Sequence, residues 1–397
     1  MKLLVYSHYF APSIGGVETI VLSLAQGLAD LRTSTNARQF EVTLVTQTPT
    51  GDFDDRTLSF RLIRRPGLLR LWLLVRACDV IHVAGPALTP LVLAKLSRKP
   101  AVVEHHGYQA ICPNGQLIHQ PDVSICPGHF QAKRYVECFR CESVRVGSLS
   151  SVFGLASMFL RYWLSRGAAQ NVAVTRYVMH RQALPQSSVI LHGIEPITSS
   201  DSLTMASASP LERVCFGYVG RFVPEKGIST LLQAARILRE EGRDFDVRLV
   251  GDGPERTKLE RIIDGEHLEK YVRITGYLRG AALAEAVRGI HVMVMPSIWE
   301  ETAGLAAMEQ MMRGRLVIAS DVGGLAEVVG DTGLKCTPGR ADALAECMRK
   351  VLLDTSIVDV LGKKARERAL QLFMRARMVD KHADVYRKCF ARAKQDV

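Results

Sequence analysis

The sequence has no apolar run near the roughly 20 residues that a membrane-spanning helix needs. It has no G-x-G-x-x-G after its first strand-like run and no G-x-x-x-x-G-K-[ST], so the usual dinucleotide and P-loop signatures are missing. Its opening, "MKLLVYSHYF", lacks the long apolar region and small-residue cleavage site of a signal peptide, which makes the cytoplasm the expected compartment. Glycine (31) and proline (16) are not in excess over 397 residues, which argues against global disorder. Nine cysteines in a chain this long are too few for a disulfide scaffold.

A hydrophobic content of 47% over 397 residues exceeds one ordinary core, so two domains are expected. The net charge of +11 is uneven: residues 1–195 hold 20 Lys+Arg against 12 Asp+Glu, a balance of +8, which leaves +3 for the remainder. In that basic half, "FRLIRRPGLLRLWLLVRACD" (60–79) and "SMFLRYWLSRG" (157–167) mix arginine with Leu, Trp and Phe. Such a mixture suits a helix at an anionic membrane surface, with arginine stems snorkelling. It equally suits a core-facing helix with a solvated basic face. No nucleic-acid motif accompanies the charge, so nucleic acid is not an expected partner.

Strand-like runs "KLLVYSHY", "EVTLVTQ", "DVIHVAG" and "PAVVEHHG" alternate with turn and helix signals. A second such series follows residue 210: "VCFGYVGRF", "DVRLVGDG", "VRITGYL", "HVMVMPS", "LVIASD" and "AEVVG" as strands, with helices at 228–240, 254–264, 280–288 and 303–313 between them. This alternation predicts an α/β fold with parallel sheets covered on both faces. The polar, small-residue stretch 195–210 reads as a linker. Two Rossmann-like domains, 1–194 and 211–370, would then face a cleft with their strand carboxyl ends.

Several of those strand ends suit an anionic ligand. "GRFVPEKG" sets Gly220, Arg221 and Lys226 on a tight loop, as a pyrophosphate clamp or as two solvated cations. "VGDGPE" turns a strand into a helix through Gly251 and Gly253, with Pro254 suited to the first helical position. In "SIWEETAGLAAMEQ" (297–310) a helix is expected to begin at Gly304 and Leu305, whose free N–H groups and dipole make an anion seat. Glu301 precedes that helix and Glu309 lies inside it, so the two acids could grip hydroxyls on either side of a phosphate, or simply be solvated helix-start acids.

The pattern E-x7-E after "PS", with "GR…EKG" upstream and "SDVGGLAEVV" downstream, closely resembles the retaining glycosyltransferases of family 4, which have the GT-B fold. The resemblance runs from "GGVE" (15–18) to a final helix, 371–397, that in this family crosses back onto the first domain. It implies that Glu301 contacts donor sugar hydroxyls, that the backbone at Gly304 and Leu305 meets the phosphate, and that Glu309 holds the ribose. Arg221 and Lys226 match the family's diphosphate clamp, with Gly220 and Gly251 beside them, and Tyr277 and Leu278 of "TGYL" match its base-cradling segment. Gly15 and Gly16 match the glycine loop, and His106 matches the active-site histidine by its distance from Pro100, with His105 one residue off. The sequence departs from the family pattern at Ala303, Leu316, His192 and His291, none of which removes a donor-site charge.

The implied reaction moves a hexosyl group from a UDP- or GDP-sugar to a saccharide or lipid-linked acceptor with retention, in surface-polysaccharide or glycolipid assembly, without a catalytic cofactor. Alternative readings are a nucleotide-sugar epimerase of the same fold, or a basic membrane-associated metal-binding scaffold without catalysis. Attachment at the inner face of the cytoplasmic membrane is part of the expectation. One segment is not absorbed by any of this. Residues 106–143 carry Cys112, Cys126, Cys138 and Cys141 with 13, 11 and 2 residues between them, and His119 and His129 nearby. Structural zinc, free thiols and disulfides all remain readings of that spacing.

Overall fold

A computed structural model describes residues 1–13, 15–196 and 213–395. The expected linker lies outside the described residues from 197 onward. Two compact units are present. The first takes in Met1–Pro121, Cys126–Glu195 and Phe373–Val397, and the second Pro196–Leu372 with Asp122–Ile125.

In the first unit β1 (Lys2–Ser7), β2 (Glu41–Thr46), β3 (Arg61–Arg64), β4 (Val80–Ala84), β5 (Ala101–His105), β6 (Gln170–Ala173) and β7 (Ser187–Val189) form one parallel sheet. The strand order is β3-β2-β1-β4-β5-β6-β7. Leu4, Tyr6, Val83 and Val103 pack there with Leu71, Val75 and Leu91 from the helices Leu68–Ala77 and Leu88–Leu96. Near-continuous burial along β1, β4 and β5 is what a sheet covered on both faces requires.

In the second unit β8 (Cys215–Val219), β9 (Asp246–Val250), β10 (Val272–Gly276), β11 (Val292–Met295), β12 (Leu316–Ser320) and β13 (Leu334–Cys336) form a second parallel sheet, ordered β10-β9-β8-β11-β12-β13. The helix Ile228–Glu240 buries Leu231, Leu232, Ala234, Ala235 and Leu238, the one-sided stripe that its 3.6-residue repeat predicts. This strand order is that of a doubly wound dinucleotide fold.

The final helix, Arg375–Gln395, belongs to the first unit. Mutual backbone bonds fix its start: Ile194 N–H donates to Phe373 O at 2.8 Å, and Arg375 N–H to Ile194 O at 2.9 Å. Its buried face, Met378, Val379, His382, Ala383, Tyr386 and Cys389, again follows helical spacing. Two of its six buried side chains are thus His and Tyr, and both have partners described below.

Four details differ from the sequence reading. "AEVVG" belongs to the helix Gly323–Val329, because Val322 and Gly323 turn the chain immediately after β12; the next strand is Leu334–Cys336. The segment 60–79 is not one helix: Arg61–Arg64 is a strand, and Pro66–Gly67 breaks it from the helix Leu68–Ala77. The helix after "GDGPE" starts at Arg256, so Pro254 stands in the preceding turn. The run 157–167 lies in a longer helix, Ser148–Arg166, that buries only Ser151, Met158, Leu164 and Ser165.

That last helix leaves Leu149, Val152, Phe153 and Trp163 exposed, and the helix Leu68–Ala77 likewise exposes Leu68, Leu69 and Leu73. The core-facing reading holds for Leu71, Trp72, Leu74 and Val75 of the helix Leu68–Ala77 and leaves the exposed residues of both helices unaccounted for. No helix among the described residues is long and apolar enough to cross a membrane.

Candidate functional site

Chain order runs one way from β8 through β9 to β10 and the other way from β11 to β13. The loops leaving β8 and β11 therefore diverge at the point where an open α/β sheet offers a ligand crevice. Lys226 follows β8 and Glu301 follows β11. The two loops are laced together: Ile298 N–H donates to Glu225 O at 3.0 Å. Gly227, at φ +65°, sits so close that a Cβ there would stand 2.1 Å from the Pro296 carbonyl oxygen, so only glycine fits.

This approach delivers Lys226 Nζ to 2.9 Å from Glu301 Oε1, and 5.7 Å from the centre of the Trp299 ring. Ser297 Oγ also donates to Glu301 Oε1, and Gly324 N–H donates to the Glu301 carbonyl at 2.6 Å. The side chains of Lys226 and Glu301 are 19% and 6% exposed, so the pair is largely withdrawn from water. At that burial each charge depends on the other. The sequence reading treated Lys226 as a phosphate clamp and Glu301 as a separate hydroxyl grip; the fold joins them.

The helix Leu305–Met312 begins beside this pair. Gly304 caps it in the left-handed region at φ +79°, and its carbonyl accepts from Ala307 and Met308 N–H at 3.0 and 3.2 Å. The N–H groups of Leu305 and Ala306 thus precede the first intrahelical bond and carry the positive end of the helix dipole. Glu309 lies one turn in, half-buried. Burial raises its carboxyl above the ordinary range, with Arg313 pulling the other way.

Three neighbouring strand ends are tied side by side. Gly220 N–H donates to Val250 O at 3.0 Å, Gly251 N–H to Gly276 O at 3.0 Å, and Phe222 N–H to Asp252 O at 2.8 Å. A Cβ on Gly251 would lie 1.9 Å from the Gly220 carbonyl oxygen. The Arg221 carbonyl accepts from Tyr218 Oη at 2.9 Å while its side chain is exposed. Burial, then the charge of Glu301, pushes the Tyr218 hydroxyl well above its ordinary value, so it remains a neutral donor. Tyr277 is 53% exposed at the end of β10, with Arg279 Nε donating to its Oη at 2.8 Å, and Leu278 beside it is half-buried.

The first unit holds a different constellation. Glu104, next to last in β5, is completely buried, with Oε2 3.2 Å from His82 Nε2 and 3.4 Å from His106 Nε2, and Oε1 3.7 Å from His382 Nε2. Tyr386 Oη meets His82 Nδ1 at 2.9 Å, and His382 Nδ1 meets the Met378 carbonyl at 2.9 Å. His106 Nδ1 lies 3.1 Å from His192 Nε2. Burial alone would raise the Glu104 carboxyl, but His106 and His382 reverse that and hold it well below the ordinary range. Burial also lowers His82, and it brings His192 down to about 3.

His105 points elsewhere: it is buried, its Nε2 is 2.9 Å from Asn171 Oδ1, and burial lowers it to about 4. His106, the residue after β5, instead faces Glu104 and His192. Gly15 caps the helix Gly16–Asp30 and accepts at its carbonyl from Thr19 N–H and Oγ at 3.2 and 3.0 Å.

Sequence reasoning missed Glu104, His82, His382, Tyr386 and Ser297, and it noted His192 only as a departure. Two signals were available: a histidine and a glutamate inside otherwise apolar strands, and a histidine on the buried stripe of the last helix. Of the other departures, His291 Nδ1 accepts from Cys215 N–H at 2.9 Å, while Ala303 and Leu316 are buried. The chain's two Asp-x-Asp triplets are engaged locally. Asp54 accepts from Arg56 N–H at 3.0 Å, and Asp244 and Asp246 pair with Arg213 at 3.3 and 3.2 Å.

Comparison with known proteins matches residues 14–183 to the model of glycosyltransferase family 4 and residues 202–368 to that of glycosyl transferases group 1. A 2-deoxystreptamine glucosyltransferase of Streptomyces kanamyceticus is 37% identical over 153 residues, which is 38% of this chain and 39% of that one. An alpha-D-kanosaminyltransferase of the same organism is 30% identical over 173 residues, 43% of this chain and 45% of the relative. The matched stretches thus span less than half of these relatives' own length. Among solved structures, Anabaena HepE in complex with UDP and glucose aligns with a TM-score of 0.70 at 18% identity, covering 97% of this chain and 98% of its own. Sucrose-phosphate synthase from Thermosynechococcus elongatus aligns with a TM-score of 0.70 at 22% identity over 98% and 99% of the two chains. At such identities the likeness is one of fold, here the GT-B fold.

Proposed function

The chain belongs to the glycosyltransferases, family 4 through its first half and group 1 through its second, and from that membership we propose that it moves a hexosyl group from a UDP- or GDP-sugar to an acceptor hydroxyl with retention of configuration. The observation that carries this reading is the withdrawn Lys226–Glu301 pair beside the free N–H groups of Leu305 and Ala306. A diphosphate and the sugar it carries need both a cation with amide donors and a hydroxyl acceptor, within one sugar's width. The relatives named for glucosyl and kanosaminyl transfer, and a fold neighbour holding UDP and glucose, support the same class of donor.

The chemistry follows from where charge develops. As the bond from the anomeric carbon to the phosphate oxygen breaks, negative charge grows on the leaving diphosphate. In this reading Lys226, Arg221 and the helix N-terminus take it. Glu301, held by Lys226 and Ser297, accepts from sugar hydroxyls, and Glu309 holds the ribose. The acceptor oxygen attacks the same face of the sugar, and its proton passes to the departing phosphate oxygen. With an α-linked donor, NMR of the product should show an α linkage and an equivalent of nucleoside diphosphate; a β linkage would overturn retention.

A lipid-linked acceptor fits the exposed Leu149, Phe153 and Trp163 of the helix Ser148–Arg166, where Lys95 Nζ lies 3.9 Å from the Trp163 ring centre. The full chain should therefore sediment with phosphatidylglycerol vesicles more than with phosphatidylcholine vesicles, and Phe153→Ser should reduce the difference. Equal and negligible sedimentation with both would remove the membrane from the reading.

A further inference from the structure

Residues 107–134 hold no helix, and their only strands are two residues long; regular structure resumes at Tyr135. A loop of that length directly behind His106 requires something to order it. Cys112, Cys126 and the pair Cys138 and Cys141 line one cavity of about 20 Å³, room for a single small ion or water. The chain's other five cysteines are outside this segment and buried. Cys138 and Cys141 stand three residues apart on one face of the helix Tyr135–Val146, while Cys112 and Cys126 come from the loop.

We propose that Cys112, Cys126, Cys138 and Cys141 bind one structural zinc ion that orders the loop behind His106. The surroundings suit thiolates. Backbone amides of Leu117, Gly115 and Asn114 favour the charged form of Cys112, and Gln120 N–H donates to Cys141 Sγ at 3.3 Å. Arg145, paired with Glu142, also lies within electrostatic reach of Cys112 and Cys141. Without a cation, burial pushes Cys112 up to about 11, and burial together with the three neighbouring sulfurs pushes Cys138 up to about 12. Entry of the dication would release the thiol protons to the solvent, with no change in oxidation state. The main outer candidate, His129, lines the same cavity but lies ring to ring with His119, their centres 5.3 Å apart, and is not needed to complete a four-sulfur shell.

The test is the metal content of the full chain purified without chelators, together with a thiol count before and after a strong zinc chelator. About one zinc per chain is expected, with four thiols becoming reactive only on chelation. Cys138→Ser and Cys126→Ser should lose the zinc, while Cys215→Ser and His129→Ala keep it. A metal-free chain with all four thiols freely reactive would overturn the proposal, as would iron in place of zinc or loss of zinc in His129→Ala. Should the serine variants fail to fold, the wild-type thiol count alone still decides the matter.

Discussion

Replacing Lys226 with alanine should lower kcat/KM by about 100- to 1,000-fold, the effect of removing one donor to a developing anion in a dry site. The loss should appear in kcat as much as in KM, because the charge that Lys226 meets is greatest in the transition state. The same substitution strands Glu301, whose side chain is 6% exposed, without its 2.9 Å partner. A fall in stability of about 1–3 kcal/mol is expected, discounted from the fully buried case because Lys226 keeps some solvent. The double variant Lys226→Ala/Glu301→Gln separates the two effects. It should recover much of the lost melting temperature, since no unpaired charge remains, and none of the lost activity. Recovery of activity along with stability would make Lys226 merely a prop for Glu301.

Glu104→Gln should destabilise the first unit by about 3 kcal/mol or more, because a buried charge is removed from the histidines arranged around it. The 3.2 and 3.7 Å contacts of Glu104 with His82 and His382 join β4, β5 and the last helix, and the 3.4 Å contact reaches His106. The consequence should extend to the orientation of His106 as well as to melting. Acid should do the same in wild type. His105 and His192 are held at about 4 and about 3 by burial, against 6.5 when unfolded, so below about pH 6.5 the unfolded chain binds protons that the folded chain refuses. The lowered Glu104 acts in the same direction, contributing stability above the ordinary carboxylate value of 4.5 and losing it as the pH falls further. The melting temperature should therefore fall as pH drops from 7 toward 4.5. His192→Asn, which cannot titrate, should flatten that fall, and identical slopes for the two proteins would contradict the argument.

Much of the second unit was legible because its signals are local. Apolar runs ending in "GR", "GDG" and "PS" mark strand ends, and E-x7-E places one acid before a helix and one inside it. The contact between Lys226 and Glu301 was not legible, because it depends on two loops from strands that are neighbours in space and remote in sequence. Nor was the use of "GG" in "SDVGG", where Gly324 N–H holds the Glu301 carbonyl. "AEVVG" misled because a short apolar run fits a strand and a buried helix equally well. The histidine cluster stayed hidden for the same long-range reason: His82 and Glu104 come from neighbouring strands, His192 from the segment after β7, and the return of the last helix adds His382.

The proposed donor site is built from Lys226, Glu301, Glu309 and the start of the helix Leu305–Met312. Its most direct test is ligand-observed NMR across UDP- and GDP-sugars with the wild-type chain and Glu309→Ala. Saturation of the nucleotide and sugar protons of at least one donor by wild type is expected, with the ribose signals weakened most in the variant. No binding of any nucleotide sugar to the folded wild-type chain, or binding left unchanged by Glu309→Ala, would contradict it.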